Sequence, residues 1–178
     1  AITAKIAHLI MEKGIKPEEI LALTFTDKAA GEMEERVDKL LPLGYADLWI
    51  NTFHSFAERI LRAEALNIGL PTDFKLLSAT DQWLLVRQNL DELKLDYFRP
   101  LGNPTKYIHA IIKLISRAKD ECVSPEDYDV FAAKLEKLQT DPNNAEEIEE
   151  VAKQKEIAGV YKTYQKLLLK NDAFDFGD

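Results

Sequence analysis

Apolar residues along this chain recur at helical spacing, give way to two short continuous runs, and then return to helical spacing. Ile2, Ile6, Leu9 and Ile10 predict a helix over residues 1–14 with Gly14 as its C-terminal cap. The run over residues 20–25 is too short for a helix and too uniformly apolar for a one-sided strand, so it predicts a buried strand. A helix over residues 28–41 follows, with its acidic residues on the solvent face.

The same order of elements is repeated after a predicted loop over residues 42–47. Residues 48–53 predict a second strand that ends at His54 and Ser55, and a helix runs from about Ser55 to Leu66. Strands that alternate with helices indicate a parallel α/β sheet. Because ligands bind at the carboxyl ends of parallel strands, functional residues are expected at these two strand ends.

The pattern becomes helical after residue 71, apart from a short strand segment at residues 74–77. Helices are predicted over residues 78–93, 103–119 and 124–138, and a polar loop over 140–144 precedes one long helix that ends near Lys170. The predicted fold class is α/β with mostly helical content: a partial parallel sheet followed by an all-α region. The pattern opens inside a helix and the tail stops abruptly, so both ends are expected to continue in a longer protein.

Composition and charge limit which classes of protein this chain can belong to. The chain is 46% hydrophobic and 30% charged, which is typical of a globular protein, and no apolar run approaches the roughly 20 residues that span a bilayer. The single Cys122 fits a reducing, cytoplasmic setting, and three scattered histidines predict no metal site. A net charge of −8 argues weakly against nucleic-acid binding but does not exclude a local basic groove.

A group of residues whose side chains could bind a ligand stands at the end of the first predicted strand, in the order Thr24, Phe25, Thr26, Asp27 and Lys28. Two hydroxyls, the N–H groups of a helix N-terminus and a lysine could hold a phosphate, and the phenyl ring could stack on a base. The alternative interpretation is that Thr26 or Asp27 is only a helix cap and Phe25 belongs to the core.

The end of the second strand has the same character, with Thr52, Phe53, His54 and Ser55 in sequence. His54 could donate to a phosphate or stack on a base, although a lone histidine is more often a structural hydrogen-bonding residue. The spacing supports no Ser-His-Asp triad.

These stretches carry a resemblance to a known family. Residues 23–37, Leu-Thr-Phe-Thr-Asp-Lys-Ala-Ala-Gly-Glu-Met-Glu-Glu-Arg-Val, resemble motif Ia of the UvrD/PcrA/Rep family of superfamily 1 DNA helicases. Residues 51–62, Asn-Thr-Phe-His-Ser-Phe-Ala-Glu-Arg-Ile-Leu-Arg, resemble the next motif of that family, written T-x-H-S/G. The likeness continues in order at residues 74–77 and 81–82, then at 115–119 and 124–128, and finally at 161–165 and 174–178.

The resemblance implies part of an ATP-dependent helicase that moves 3′ to 5′ on single-stranded DNA. Residues 1–70 would be a partial RecA-like motor domain, residues 71–172 a helical subdomain inserted into it, and residues 173–178 the start of the return. Contacts in the single-strand channel are implied for Thr24, Phe25, Thr26, Lys28, Thr52, Phe53, His54 and Ser55. Candidates for contact with the duplex at a single-strand/duplex junction are Lys106, Lys113, Arg117 and Lys119, which a solvated helix face explains about as well.

One residue departs from the family pattern. Asp27 stands where the family usually has Asn, and a carboxylate repels phosphate. Because Asp caps a helix about as well as Asn, Asp27 is expected to keep the cap, while a direct DNA contact there is in question.

The resemblance also implies ATP and Mg²⁺ as cofactors of the longer protein. The chain contains no G-x-x-x-x-G-K-[ST] phosphate loop, and the Mg²⁺-binding motif of the family would lie beyond residue 178. We therefore expect the chain alone to have no catalytic residue, no tight ATP binding and no ATP hydrolysis, with the remainder of the helicase as its partner. The Asp175-Phe176-Gly177 triplet also occurs in kinases, but the other kinase motifs are missing from the sequence.

Two alternatives remain open from the sequence. One is a stand-alone module that binds single-stranded DNA or another protein, which an upstream phosphate loop would exclude. The other is part of a helicase–nuclease subunit of the AddA or RecB kind, which a C-terminal nuclease domain would reveal. No membrane partner is expected.

Overall fold

The structure, a computed structural model, describes residues 2–42, 48–138 and 144–178. The chain divides into two compact units, a first of residues 1–72 and a second of residues 73–178. The fold is α/β, with small parallel sheets and a majority of helical residues. Most of the predicted loops at 42–47 and 140–144 lie outside the described residues.

The first unit is built around a two-stranded parallel sheet. Its elements are α1 (Ile2–Met11), β1 (Leu21–Thr24), α2 (Asp27–Asp38), β2 (Trp49–Thr52) and α3 (Phe53–Glu64). The strands pair in the register Leu21 with Trp49 through Thr24 with Thr52. The predicted parallel α/β arrangement of this region is therefore confirmed.

The core of the first unit lies where α1 and α2 pack beside the sheet. Its buried members are Ile6, Ile10, Val37 and Ile50. The chain then leaves α1 through Gly14, whose φ of 65° is a left-handed conformation that glycine adopts at no steric cost. The predicted role of Gly14 as the cap is thus confirmed, although α1 itself ends at Met11 and not at residue 14.

Two details of the strand predictions are wrong. The first strand is not buried: Leu21 is exposed, the rest of β1 is half-buried, and Phe25 is 87% exposed. Among the described residues β1 pairs only with β2, so its apolar run is covered less than a central strand would be. Phe53 is the first residue of α3 and not the end of β2, because Thr52 already caps that helix.

The second unit is a set of helices around one apolar core. They are α4 (Ala79–Gln88), α5 (Ile108–Asp120), α6 (Pro125–Leu138) and α7 (Ala145–Lys170). The long helix is confirmed: α7 has 26 residues and is about 39 Å long. Fully buried side chains from α5 and α7, such as Ile111, Ile115, Tyr164 and Leu168, fill the centre of this core.

Helices α4 and α5 are shorter than predicted. Helix α4 begins as expected, with a capping box between Ser78 and Asp81, but it ends at Gln88. The residue after it, Asn89, donates its side-chain amide to the Leu85 carbonyl. Residues 103–107 form turns and not the first turn of α5, with the Lys106 N–H bonded to the Asn103 carbonyl.

A short parallel sheet joins the two ends of the second unit. β3 (Lys75–Leu76) pairs with β4 (Ala173–Phe174), and the Phe74 and Phe174 rings meet edge to face at 5.1 Å. Residues 173–178 therefore belong to the second compact unit. That they begin a return to a motor domain stays a prediction.

The loop between α4 and α5 is held by one carboxylate. Glu156 of α7 accepts hydrogen bonds from three consecutive backbone N–H groups, those of Asp96, Tyr97 and Phe98, at 2.9, 3.0 and 3.2 Å. The rings of Tyr97, Phe98 and Tyr107 cluster beside this anchor. A single side chain thus fixes a segment that has no regular secondary structure.

Candidate nucleic-acid interface

The two polar strand ends lie side by side. Thr24 and Thr52 are direct partners in the parallel ladder, so the residues that follow them leave the same edge of the sheet. Neighbouring strands lie about 4.8 Å apart, which brings both clusters within reach of one extended ligand. Helices α2 and α3 begin here, and the first N–H groups of both helices have no acceptor within the helix.

The first cluster presents an aromatic ring to solvent. Phe25 is 87% exposed, so the alternative that it belongs to the core is wrong. Thr26 is the N-cap of α2, and its hydroxyl accepts from the Ala29 N–H at 3.2 Å. Lys28 is exposed, and no ion pair to it is found among the described residues. The cluster therefore offers a ring face, a free ammonium and helix N–H groups together.

Asp27 does not take the cap as predicted. Thr26 has the extended backbone of an N-cap, with φ −123° and ψ 148°, whereas Asp27 is the first residue of the helix itself. Its carboxylate is exposed in the first turn, where it interacts favourably with the helix dipole. The negative charge thus stands beside the exposed Phe25 and Lys28.

The second cluster has a buried hydroxyl and an exposed ring. Thr52 is 6% exposed and caps α3: it accepts from the Ser55 N–H at 3.2 Å and shares a 2.8 Å hydrogen bond with the Ser55 hydroxyl. Phe53 is 59% exposed, and His54 is exposed as well. Thr52 and Ser55 therefore shape the helix start, while Phe53 and His54 face the solvent.

Trp49 and Arg59 form a further aromatic–cation contact in this unit, which the sequence reasoning missed. The Arg59 guanidinium lies 3.9 Å from the centroid of the Trp49 ring, and Phe56 meets the same ring edge to face. Trp49 begins β2, so this contact belongs to the opposite end of the strand from Thr52. It orders α3 on the sheet and lies apart from the polar strand ends.

The four basic candidates of the second unit have different surroundings. Lys113 and Arg117 are exposed one turn apart on α5, and neither has an ion-pair partner among the residues that the structure describes. Lys106 lies in the turn before α5, with its ammonium 4.8 Å from the centroid of the Tyr107 ring. These three remain able to meet a phosphate.

Lys119 is not available for DNA, and its assignment as a duplex contact is corrected. Its side chain is 5% exposed, and its ammonium is bound to the carboxylates of Asp175 and Asp178 at 2.9 and 2.7 Å. A buried ammonium that is already paired with two carboxylates presents no charge to an external phosphate.

Sequence reasoning also missed the residues that extend the basic face of α5. His109 is one turn before Lys113 and stacks on Trp83 of α4, with ring centroids 6.0 Å apart. The Arg87 guanidinium lies 5.2 Å from the centroid of the same Trp83 ring. The four-residue spacing of His109, Lys113 and Arg117 was the available signal, since it places them on one helix face.

The described residues contain no group of three or more His, Cys, Asp or Glu side chains arranged to hold a metal ion. In the same part of the chain, no helix combines the length and the apolar character needed to cross a membrane.

Comparison with known proteins gives a match over the full chain. Residues 1–178 match the family model of the UvrD/REP helicase N-terminal domain. The chain is 38% identical to the ATP-dependent DNA helicase PcrA of Bacillus subtilis over 178 residues, and 36% identical to PcrA of Staphylococcus epidermidis over 177 residues. It is 35% identical to PcrA of Staphylococcus aureus over 182 residues. Each alignment covers 99% of this chain and 21% of the relative, so the chain spans about a fifth of the length of these proteins.

Proposed function

Because this chain belongs to the UvrD/REP helicase N-terminal domain family, we propose that it is part of an ATP-dependent DNA helicase that moves 3′ to 5′ on single-stranded DNA. Its contribution is one side of the single-strand channel, formed where β1 and β2 end. The observation that supports this proposal is the register of the sheet, which pairs Thr24 with Thr52 and so brings exposed Phe25 and Phe53 to the same edge.

The chemistry of this edge suits a single strand. The rings of Phe25 and Phe53 offer faces on which bases stack without sequence preference. The first N–H groups of α2 and α3, together with Lys28 and His54, are donors for the phosphates between those bases. Thr26 and Thr52 act indirectly, because their hydroxyls cap the two helices and so aim these N–H groups. Thr24 and Ser55 are half-buried and line the base of the same edge.

The second unit is proposed to be the inserted helical subdomain, with its basic face directed to duplex DNA. Lys113 and Arg117 are the central contacts, and Lys106 is a further one. Arg87 and His109 join them through their shared contact with Trp83. Lysine and arginine side chains that have no ion-pair partner in the described part of the chain, clustered in a protein of net charge −8, fit an anionic partner better than a merely solvated surface.

ATP and Mg²⁺ are proposed as cofactors of the full-length protein. The residues of this chain supply no phosphate loop for them, since no G-x-x-x-x-G-K-[ST] pattern occurs in it. The chain's own part in the reaction is to hold single-stranded DNA at one edge of the sheet.

The channel assignment is tested by fluorescence anisotropy of a labelled oligothymidine with the 178-residue chain, over a range of salt concentrations. Phe25→Ala is expected to weaken binding about 5- to 150-fold, the range that corresponds to one lost base stack. Phe131→Ala removes a ring of the second unit that is 47% exposed and is the matched control, with affinity expected within about twofold of the unaltered chain.

The electrostatic part of the proposal has its own readout. Lys28→Gln is expected to make the negative slope of log affinity against log salt shallower by about 0.7, the value for one phosphate contact on a single strand. His54→Ala is expected to weaken binding at every salt concentration. If Phe25→Ala and His54→Ala both leave affinity and slope unchanged, β1 and β2 do not end in a DNA channel.

A further inference from the structure

Residues 173–178, called the strap here, are tied to the rest of the second unit by a buried polar cluster. We infer that Lys119 is the fastening point of the strap: one buried ammonium on α5 holds it against α5 and α7, so that the strap and the two helices move as one body. This inference concerns a positioning residue and does not depend on binding of DNA or ATP.

The ammonium of Lys119 has partners on two sides. It donates to Asp175 Oδ2 at 2.9 Å and to Asp178 Oδ1 at 2.7 Å, and it lies 5.3 Å from the centroid of the Tyr164 ring. The side chains of Lys119 and Asp175 are each 5% exposed, and that of Asp178 is 12% exposed. Charges removed from water to this extent are tolerated only when they are paired and hydrogen-bonded.

The two carboxylates also organise the strap itself. Asp175 Oδ1 accepts from the N–H groups of Gly177 and Asp178 at 2.9 and 3.2 Å, and Asp178 Oδ2 accepts from the Asp175 N–H at 2.8 Å. Each carboxylate therefore uses one oxygen for the Lys119 ammonium and the other for the backbone of the strap. Loss of the ammonium disturbs both sets of bonds, because the carboxylates would lie buried without a counter-charge.

Helix α7 completes the enclosure. Tyr164, which is fully buried, donates its hydroxyl to Asp175 Oδ2 at 2.8 Å, and Gln165 donates its amide to Asp178 Oδ1 at 2.8 Å. Burial, with Asp175 nearby, raises the pKa of Tyr164 far above its ordinary value, so the phenol stays a donor. Both strap carboxylates are thus held from α5 and from α7.

Gly177 shows how closely the strap lies on Lys119. A Cβ at this position would be 2.8 Å from Lys119 Cδ and 2.9 Å from Lys119 Cβ, distances that force one of the two residues to move. Gly177→Ala therefore forces the strap and the lysine apart without removing any charge. The added methyl would also lie 3.3 Å from Asp175 Oδ1, so this second perturbation acts on the same cluster by steric crowding and not by loss of charge.

The experiment is amide hydrogen exchange, followed residue by residue, on the 178-residue chain and three variants. Lys119→Met keeps about the length of the lysine side chain but removes its charge. Gly177→Ala pushes the strap away from Lys119, and Lys162→Met is the control. Lys162 pairs with Asp129 at 2.7 Å on the surface of α7, with side chains 37% and 55% exposed. Exposed ion pairs contribute little to the free energy of unfolding, so Lys162→Met shows the effect of losing a lysine without losing a buried ion pair.

In the Lys119→Met and Gly177→Ala variants we expect the strap to detach from α5 and α7 while the helices stay folded. The amides of Asp175, Gly177 and Asp178 should exchange at least about tenfold faster in Lys119→Met and Gly177→Ala, while those of the buried middle of α7 change by less than about twofold. Lys162→Met should leave all of them unchanged. If Lys119→Met unfolds the whole unit, the exchange rates in Gly177→Ala show whether the strap alone is released or α7 opens with it.

Three results would overturn the inference. The strap amides could keep their exchange rates in both variants. The amides of α7 could accelerate together with those of the strap in Gly177→Ala, which would show that the cluster holds the entire unit and not the strap. The Lys162→Met control could reproduce the effect.

Discussion

The anchoring of residues 96–98 by Glu156 leads to a quantitative prediction. Replacing Glu156 by Ala removes the acceptor of three backbone N–H groups at once. Hydrogen bonds to charged groups are each worth about 1.5–3 kcal/mol, but Asp96 and Tyr97 are exposed, so water can replace part of what is lost. Taking about 1 kcal/mol for each bond, Glu156→Ala should lower the free energy of unfolding by about 3 kcal/mol. Glu156→Gln keeps one acceptor oxygen and should cost roughly half as much.

The measurement is urea unfolding of the 178-residue chain, followed by circular dichroism in the far ultraviolet. The midpoint should fall while the dependence on urea stays the same, since the surface exposed on unfolding does not change. Lys155→Ala is the control on the same helix, because Lys155 makes an exposed ion pair with Glu136 and should cost no more than about 0.5 kcal/mol. A cost below about 1 kcal/mol for Glu156→Ala would refute the reasoning, because the loop would then be held by its aromatic contacts and not by the carboxylate.

Four further predictions concern other parts of the chain. Asp27→Asn should tighten binding of single-stranded DNA about two- to fivefold at low salt, and the gain should vanish at high salt; an unchanged affinity would remove Asp27 from the channel. Ser78→Ala should raise the pKa of Asp81 toward its ordinary value, because the Ser78 hydroxyl and N–H hold it low. The stability that Asp81 contributes is present at neutral pH and is lost as the pH falls through the lowered pKa. The pKa of Asp81 can be measured by NMR titration, and a value in Ser78→Ala no higher than in the original chain would contradict this assignment. Tyr161→Phe deletes the 3.0 Å hydrogen bond to the Val123 carbonyl and should cost about 1 kcal/mol of unfolding free energy, measured against urea; no change would mean that water replaces the bond fully. The purified chain should not hydrolyse ATP, and turnover that survives controls for contaminating ATPases would disprove that expectation.

Short-range signals in the sequence correctly predicted the cap after the first helix and the start of α4. Gly14 as a helix end and the capping box of Ser78 and Asp81 depend on residues within one turn, so the sequence alone contains them. The choice between Thr26 and Asp27 as the cap was harder, because both residue types cap helices and only the backbone conformation decides.

Long-range partners could not be predicted in the same way. Lys119 looks like any other lysine on a helix face until Asp175 and Asp178 are folded against it. Glu156 carries no signal at all, because its partners are backbone N–H groups far away in the sequence, which every residue except proline has. The exposure of Phe25 also depends on which strands flank β1, and a short apolar run does not contain that information.

The pairing of β3 with β4 has a consequence for how the second unit can be handled as a module. Lys75 near its start lies beside Ala173 near its end, on neighbouring strands about 4.8 Å apart. Because the two strands are parallel, the polypeptide enters at one end of this sheet and leaves at the other, so a connection between the ends has to run back along the strands. The strands have two residues each, so a linker of several residues, at about 3.3 Å each, can make that connection. The same geometry predicts that residues 73–178 tolerate circular permutation, with a short glycine linker joining the old ends and new ends opened elsewhere on the surface.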